Sequence, residues 1–358
     1  MFKIIDRYII RKFLSTFFFM LVVIMVLATV FDLAEKLTEF FENDASFYSV
    51  VFDYYLNFII FYGNMFSSMI IFVSVIWFTS KMAQETEIIP IWNSGIKFGR
   101  FVRPYMIAAT ILMLISLVFS HFIIPPSNKV RLAFEEKYYR TVITVQNYHA
   151  EFPGNEAVYF KSYSASNHLI HNLVIEKWND KGEIVSFINA EFAENKPDSY
   201  EWKLRNYYKR DVGYPKDKIF EGANLDTTFQ FSISEMATRE NIAEAMNYFE
   251  LKDFIKRERL KGSSMVPMYE VELYQRTSYP FATYVLTLIG IAVASRKKRG
   301  GVGINIALGL AIIFMYIFAM KVTTVAAIKL CFSPLISVWI PNVIFGFIAY
   351  ILYRKVKA

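Results

Sequence analysis

Apolar residues fall in long runs toward both ends of the chain and in short alternating stretches in the middle. Runs of bilayer length occupy 13–33, a window within 54–78, and 105–124, and then 279–294, 304–325 and 335–353. A hydrocarbon core takes about 20 apolar residues per helical span. The pattern therefore predicts six transmembrane helices, three on each side of a polar middle. The third run is expected to stop at Pro125-Pro126, because proline removes a helical hydrogen bond and clashes with the preceding turn. The first run is too long for a signal-peptide core and no small-x-small site follows it, so it reads as a retained span. The expected domains are 1–125, with a loop at 81–103 between spans two and three, 126–270, and 271–358.

Within 126–270 the period shortens. The stretches 157–163 and 169–178 are rich in β-branched and aromatic residues, Asn179-Asp180-Lys181-Gly182 is a turn, and 183–192 continues as a strand. The stretches 200–205 and 227–233 alternate with period two. Short strands at near-regular spacing predict a sandwich or open barrel. A helix over 251–261 is expected to end at Gly262, a residue suited to the left-handed cap.

Composition sharpens this. The chain has 358 residues, 55% of them hydrophobic, and its charges sit at the ends of the apolar runs and in the middle, as in an integral membrane protein. The formal net charge of +7 does not point to nucleic acid, because the basic residues crowd the membrane edges. One side holds Lys3, Arg7, Arg11 and Lys12, then Lys81, Lys97, Arg100 and Arg103, then Arg296 to Arg299, and finally Arg354, Lys355 and Lys357. The short loops of the other side hold Lys36 and Lys329. The positive-inside rule puts both termini in the cytoplasm and the middle domain outside it.

Little catalytic chemistry is legible. The single cysteine, Cys331, excludes an intramolecular disulfide and a cysteine-built metal site. There is no phosphate-binding P-loop motif. Gly300-Gly301-Val302-Gly303 reads as a tight turn at the membrane surface. His168 and His171 lack partners at ligand spacing, and no nucleophile, base or carboxylate pair can be argued.

The loop between spans two and three says more. Glu85-Thr86-Glu87-Ile88-Ile89-Pro90-Ile91-Trp92-Asn93-Ser94-Gly95 predicts a short helix with carboxylates at its start and glycine at its end. Its isoleucines and Trp92 would expose apolar surface, which on such a loop meets headgroups or a partner protein.

These residues resemble the LptF/LptG permease family, the transmembrane part of the lipopolysaccharide-extracting ABC transporter, in a G-like more than an F-like form. The resemblance covers essentially the whole chain. It is carried by Asp6-Arg7-Tyr8-Ile9, the Glu87 to Gly95 loop, the approach to the β domain at Pro125 and the helix ending at Gly262. Glu272, Arg276 and Pro280, the basic stretch 296–301, and Ile340-Pro341-Asn342 leading to Arg354 complete it. It implies an α-helical membrane protein of six transmembrane helices, with an inserted periplasmic β-jellyroll-like domain between helices three and four, in a bacterial inner membrane. It implies no catalytic residue or cofactor in this chain, with ATP and Mg bound by a separate LptB-like ATPase dimer. It also implies a second LptF/LptG subunit, an LptC-like protein and a periplasmic bridge as partners, and lipopolysaccharide as cargo. The loop would be the coupling helix, with Glu85, Glu87, Ile88, Ile91, Trp92 and Gly95 facing the ATPase. Lys36, near the outer end of span one, and Lys321, within span five, would be the candidates to meet lipid phosphate. A snorkelling interfacial lysine is the alternative for each. A signalling membrane protein that couples a cytoplasmic partner to the outer domain without moving lipid is the rival reading.

Overall fold

The computed structural model describes residues 4–138, 144–152, 154–164, 169–195, 199–213, 215–229, 231, 242–295, 301–330 and 332–357. His168, Cys331 and the basic loop 296–300 lie outside them. The chain divides into two compact units, Met1–Leu132 with Pro267–Ala358, and Ala133–Val266.

The first unit is helical. In chain order it contains α1 (Ile4–Glu42), a π-helical turn (Ser49–Tyr55), α2 (Leu56–Met65), α3 (Ser67–Gln84), the short α4 (Ile88–Asn93), α5 (Phe98–Val118) and a second π turn (Phe119–Ile123) leading into α6 (Ile124–Tyr138). After the second unit come the helices here called α9 (Val266–Ala294), α10 (Gly301–Lys329) and α11 (Pro334–Lys357). Among the described residues five helices are long and apolar enough to cross a membrane, and six spans result if the bent pair α2 and α3 counts as one.

That second span is broken, which the run of apolar residues did not reveal. Its halves meet at 62°. Phe66 sits at the break with φ −89° and ψ 0°, and the pair Ser67-Ser68 follows it, a combination known to kink helices. Ser68 satisfies its hydroxyl on the Tyr279 carbonyl of α9 at 3.2 Å. The outer half, α2, is held to the α5–α6 rod by two side-chain ties, one buried and one partly buried. Ser127 donates to Asn57 at 2.8 Å and Asn64 donates to Ser120 at 2.9 Å. Each pair of anchors lies two helical turns apart, so the ties fix an antiparallel register.

The third span also departs from expectation. Helix continues through Pro125-Pro126 to Tyr138. The carbonyls those rings would strike, four residues back, belong to His121 and Phe122, and both lie inside the π turn. There the Ile124 N–H bonds the Phe119 carbonyl five residues back, and the wider π ring gives the prolines room. α9 likewise begins well before the predicted 279, with Pro280 inside it.

Among the described residues, two large apolar cores hold this unit, beside a smaller cluster of Val271, Ala327 and Val338. Ile9, Phe13 and Phe17 of α1 pack with Val75 and Phe78 of α3 and Phe101, Tyr105 and Ala109 of α5. Phe72 and Ile76 of α3 pack with Leu286 and Ile289 of α9 and Ile313 and Met320 of α10. α3 thus stands between both groups. Across the second core, Tyr316 donates to Asn342, which donates to the Ser278 carbonyl at 3.0 Å, so α9, α10 and α11 share one satisfied polar chain.

The second unit is a six-stranded antiparallel sheet of β1 (Thr144–Phe152), β2 (Glu156–Ser164), β3 (Leu169–Trp178), β4 (Ile184–Asn195), β5 (Glu201–Asp211) and β6 (Lys218–Thr228). Each strand pairs with its sequence neighbours, in the order β1-β2-β3-β4-β5-β6. Among the described residues two helices follow, α7 (Ile242–Ala245) and α8 (Tyr248–Leu260), the latter started by an Asn247–Glu250 capping box.

One line crosses this sheet. Asn147 of β1, Asn172 of β3 and Asn206 of β5 each have φ of 51°. They face Lys161, Glu191 and Ala223, and the pairing skips every one of these positions while the register on either side is kept. Asparagine tolerates the left-handed region better than other side-chain-bearing residues. Its effect is a change of phase. Buried positions run Val158, Phe160, then Tyr163 on β2, Ile170, then Leu173, Ile175 on β3, and Ala190, then Ala193 on β4. The step of three falls at the line each time. The sheet folds there, and both arms present their apolar face to one core that includes Trp202 and Phe231.

Candidate functional site

α3 ends in a Schellman turn. Glu87 N–H bonds the Met82 carbonyl at 2.9 Å and Thr86 N–H the Ala83 carbonyl at 3.3 Å. The position that glycine favours is Thr86, at φ +61°. This turn throws Glu87 back beside α1. There Lys12 donates to the Tyr8 hydroxyl at 2.7 Å, and Tyr8 donates to Glu87 Oε2 at 2.9 Å. Lys12 also lies 3.3 Å from the same oxygen. The sequence places this carboxylate where it could cap α4; in the structure it makes no cap bond and turns to α1 instead. Glu85 pairs loosely with Lys81, one turn back, at 3.8 Å.

α4 divides its apolar residues between two faces. Ile88 is 2% exposed and belongs to the α1–α3–α5 core, and Ile91 packs against that core. Ile89 and Trp92, one turn apart on the other face, are 45% and 36% exposed. Of the residues expected to meet a partner, Trp92 is therefore presented, and Ile88 and Ile91 are the anchor behind it. Ile89 joins Trp92, and its placement on that face follows from the helical spacing. Gly95, at φ +76°, ends the helix. Beyond it Arg100 makes a two-pronged pair with the buried Asp6 of α1, at 2.6 and 2.7 Å.

The two lysines differ in their surroundings. Lys36 donates to Asp32 at 2.6 Å and to the Tyr54 hydroxyl, and Tyr54 in turn donates to the other Asp32 oxygen at 3.0 Å. This closed ring fastens α1 to the first π turn and neutralises the ammonium. Lys321 is exposed and has no ion pair among the described residues. It lines a cleft of about 190 Å³ between the α2–α3 bend, α9 and α10, together with Ser68, Gln275 and Thr324 and with Met69, Leu286 and Ile313. Among the described residues no cluster of His, Cys, Asp or Glu could hold a metal ion.

The family model for the lipopolysaccharide export system permease LptF/LptG matches residues 7–355. The chain belongs to the LptF/LptG family. It is thus a transporter subunit for lipopolysaccharide export and a multi-pass inner-membrane protein. The helical unit with its inserted antiparallel sheet agrees with that family. The family description spans both subunit types. No curated relative matches the chain.

Proposed function

We propose that this LptF/LptG chain is half of a membrane cavity that takes lipopolysaccharide from the outer leaflet of the inner membrane, driven by ATP hydrolysis in a separate LptB-like dimer. A second family subunit supplies the other half. Both termini lie in the cytoplasm, the sheet unit lies in the periplasm, and an LptC-like protein and a periplasmic bridge receive the lipid. The observation that carries this reading is the family match along 7–355. Two features of the chain support its parts. The exposed pair Ile89 and Trp92, with Glu87 beside them and Gly95 closing the helix, makes a compact face for a soluble partner. ATP and Mg belong to that partner. Lys321, in a cleft lined by both polar and apolar side chains, is the candidate to meet an anionic headgroup with the apolar lining taking an acyl chain; Lys36, held by Asp32, is the weaker of the two candidates.

Purification of the chain with its native partners tests the whole. An ATPase, a second family subunit and bound lipopolysaccharide are the expected companions. Glu87→Ala is expected to abolish ATPase association or ATP-driven extraction while the protein stays in the membrane. Normal assembly and normal extraction would remove Glu87 from the coupling role. Lys321→Glu is expected to lower photocrosslinking to lipopolysaccharide, and an unchanged yield returns Lys321 to interfacial snorkelling.

A further inference from the structure

We propose that the first turns of α1 hold the loop at both of its ends, so that Asp6, Tyr8, Lys12 and Arg100 are positioning residues that make α1 and the coupling loop move as one body. This rests on the reading that the loop seats a separate ATPase, and it adds the element to which the loop's motion passes. At the loop's entry, the order of donors is fixed by chemistry. An ammonium only donates and a carboxylate only accepts, so the phenol of Tyr8 accepts from Lys12 and gives its own proton to Glu87. At the exit, Arg100 grips the buried Asp6 with two nitrogens, a geometry with little rotational freedom. Between these grips Ile9 and Phe13 of α1 share a core with Ile88 and with Phe98 and Phe101 beyond the loop. The loop therefore has no independent hinge against α1 at either end.

Glu87 is the junction. Both bonds from α1 fall on Oε2. Oε1 accepts none among the described residues, and the side chain is 36% exposed. One oxygen thus faces inward to α1 and one remains for a cationic side chain of the ATPase. α1 is unbroken over its 39 residues, Ile4–Glu42, and carries the Lys36–Asp32–Tyr54 ring near its far end. At 1.5 Å per residue that rod is about 58 Å long, so a tilt imposed at the loop reaches the opposite end of the bundle.

The test uses the full transporter, with the ATPase and both membrane subunits, in nanodiscs containing lipopolysaccharide. ATP hydrolysis and lipid extraction are measured together for Tyr8→Phe, Lys12→Met, Glu87→Gln and the double variant Tyr8→Phe/Glu87→Gln. Tyr8→Phe keeps the ring and removes only the hydroxyl. The expected result is intact ATPase association with lipid extracted per ATP reduced about tenfold in Tyr8→Phe and Lys12→Met, the scale of losing one hydrogen bond to a charged group. The double variant is expected to be no worse than Glu87→Gln, since Tyr8 acts through that carboxylate. An unchanged ratio in both α1 variants, or additive losses in the double variant, overturns the proposal and leaves the docking reading standing if Glu87→Gln alone impairs the ATPase. Normal assembly and extraction in Glu87→Gln overturns the docking reading and this proposal with it.

Discussion

Thr86 is the least comfortable residue of the loop. A left-handed backbone costs an L-residue about 1–2 kcal/mol, and β-branching adds to the crowding. Thr86 recovers part of this through its hydroxyl, which donates to the Glu85 carbonyl at 2.7 Å in an exposed position. Glycine removes the clash and gives back about 0.5–1 kcal/mol through the freedom of the unfolded chain. The net for Thr86→Gly is a gain of about 0.5–1 kcal/mol, or roughly 1–4 °C in the thermal midpoint of the detergent-purified protein. Thr86→Asn is expected to gain less, and Thr86→Val to lose about 0.5–1 kcal/mol with the hydroxyl. The order Gly, Asn, Thr, Val is the discriminating measurement. Should Thr86→Gly fall below the wild type while Thr86→Val matches it, the argument from backbone strain is wrong. Function is expected to move the other way. The turn that Thr86 closes aims Glu87 at α1, and a glycine there widens the angles at which the loop can leave α3. Thr86→Gly should therefore be more heat-stable and extract less lipid per ATP. A variant improved in both respects would mean the aim of Glu87 does not depend on this turn.

Three further outcomes follow from packing and charge. A methyl at Gly290 would lie 2.9 Å from Val75 Cγ1 and 3.3 Å from its Cβ, whereas one at Gly309 would lie 2.3 Å from the far end of Ile76; because Val75 cannot rotate away and Ile76 can, Gly290→Ala should cost about 1–3 kcal/mol and Gly309→Ala less, as read by thermal unfolding. Asn172→Gly should leave the sheet intact and Asn172→Val should cost about 1–3 kcal/mol, because the fold line requires positive φ there; hydrogen exchange in β3 distinguishes them. The Gly213 N–H and then the Arg210 guanidinium hold the Asp217 carboxylate below its ordinary value of 3.8. A depressed carboxylate contributes its stability above the unfolded value and loses it as pH falls through the folded one, so NMR of the β5–β6 hairpin should show Asp217 titrating, and the turn loosening, with a midpoint below the ordinary 3.8.

The membrane architecture was legible because bilayer thickness imposes a run length that single residues cannot disguise. What the runs could not show is where a helix breaks or persists. Those events are decided by partners. Pro125-Pro126 is a stop signal in isolation, and it is overruled by a π turn whose anchor, Ser120, is bonded to a different helix. Ser67-Ser68 is compatible with smooth packing, and in the structure it stands at a bend where Ser68 donates to the Tyr279 carbonyl of another helix. The strands were visible from their composition, but the folded sheet was not. Its signal was present all the same, as a step of three in an alternation of two, next to asparagines on every second strand. A period-two search discards that step as noise.

The site shows the same division between local and long-range information. Gly95 as a helix end and the apolar character of α4 follow from local chemistry, and both stand in the structure. The split of that apolar surface into a buried Ile88 and an exposed Trp92 needs the core behind it. The partners of Glu87 and Arg100 lie about eighty and ninety residues away along the chain, a distance over which spacing carries no information. The lysines make the point most sharply. In the sequence, the acidic neighbours of Lys36 leave its role open. One of them, Asp32, stands one helical turn away on the same face, and Tyr54 closes the ring from the next helix. A charge so placed is neutralised before any lipid arrives. Binding phosphate there would require the ring to open and strand a half-buried carboxylate, whereas Lys321 requires no such rearrangement. A lipid that contacts only one of the two should therefore contact Lys321, and crosslinking from Lys36 alone would reverse that order.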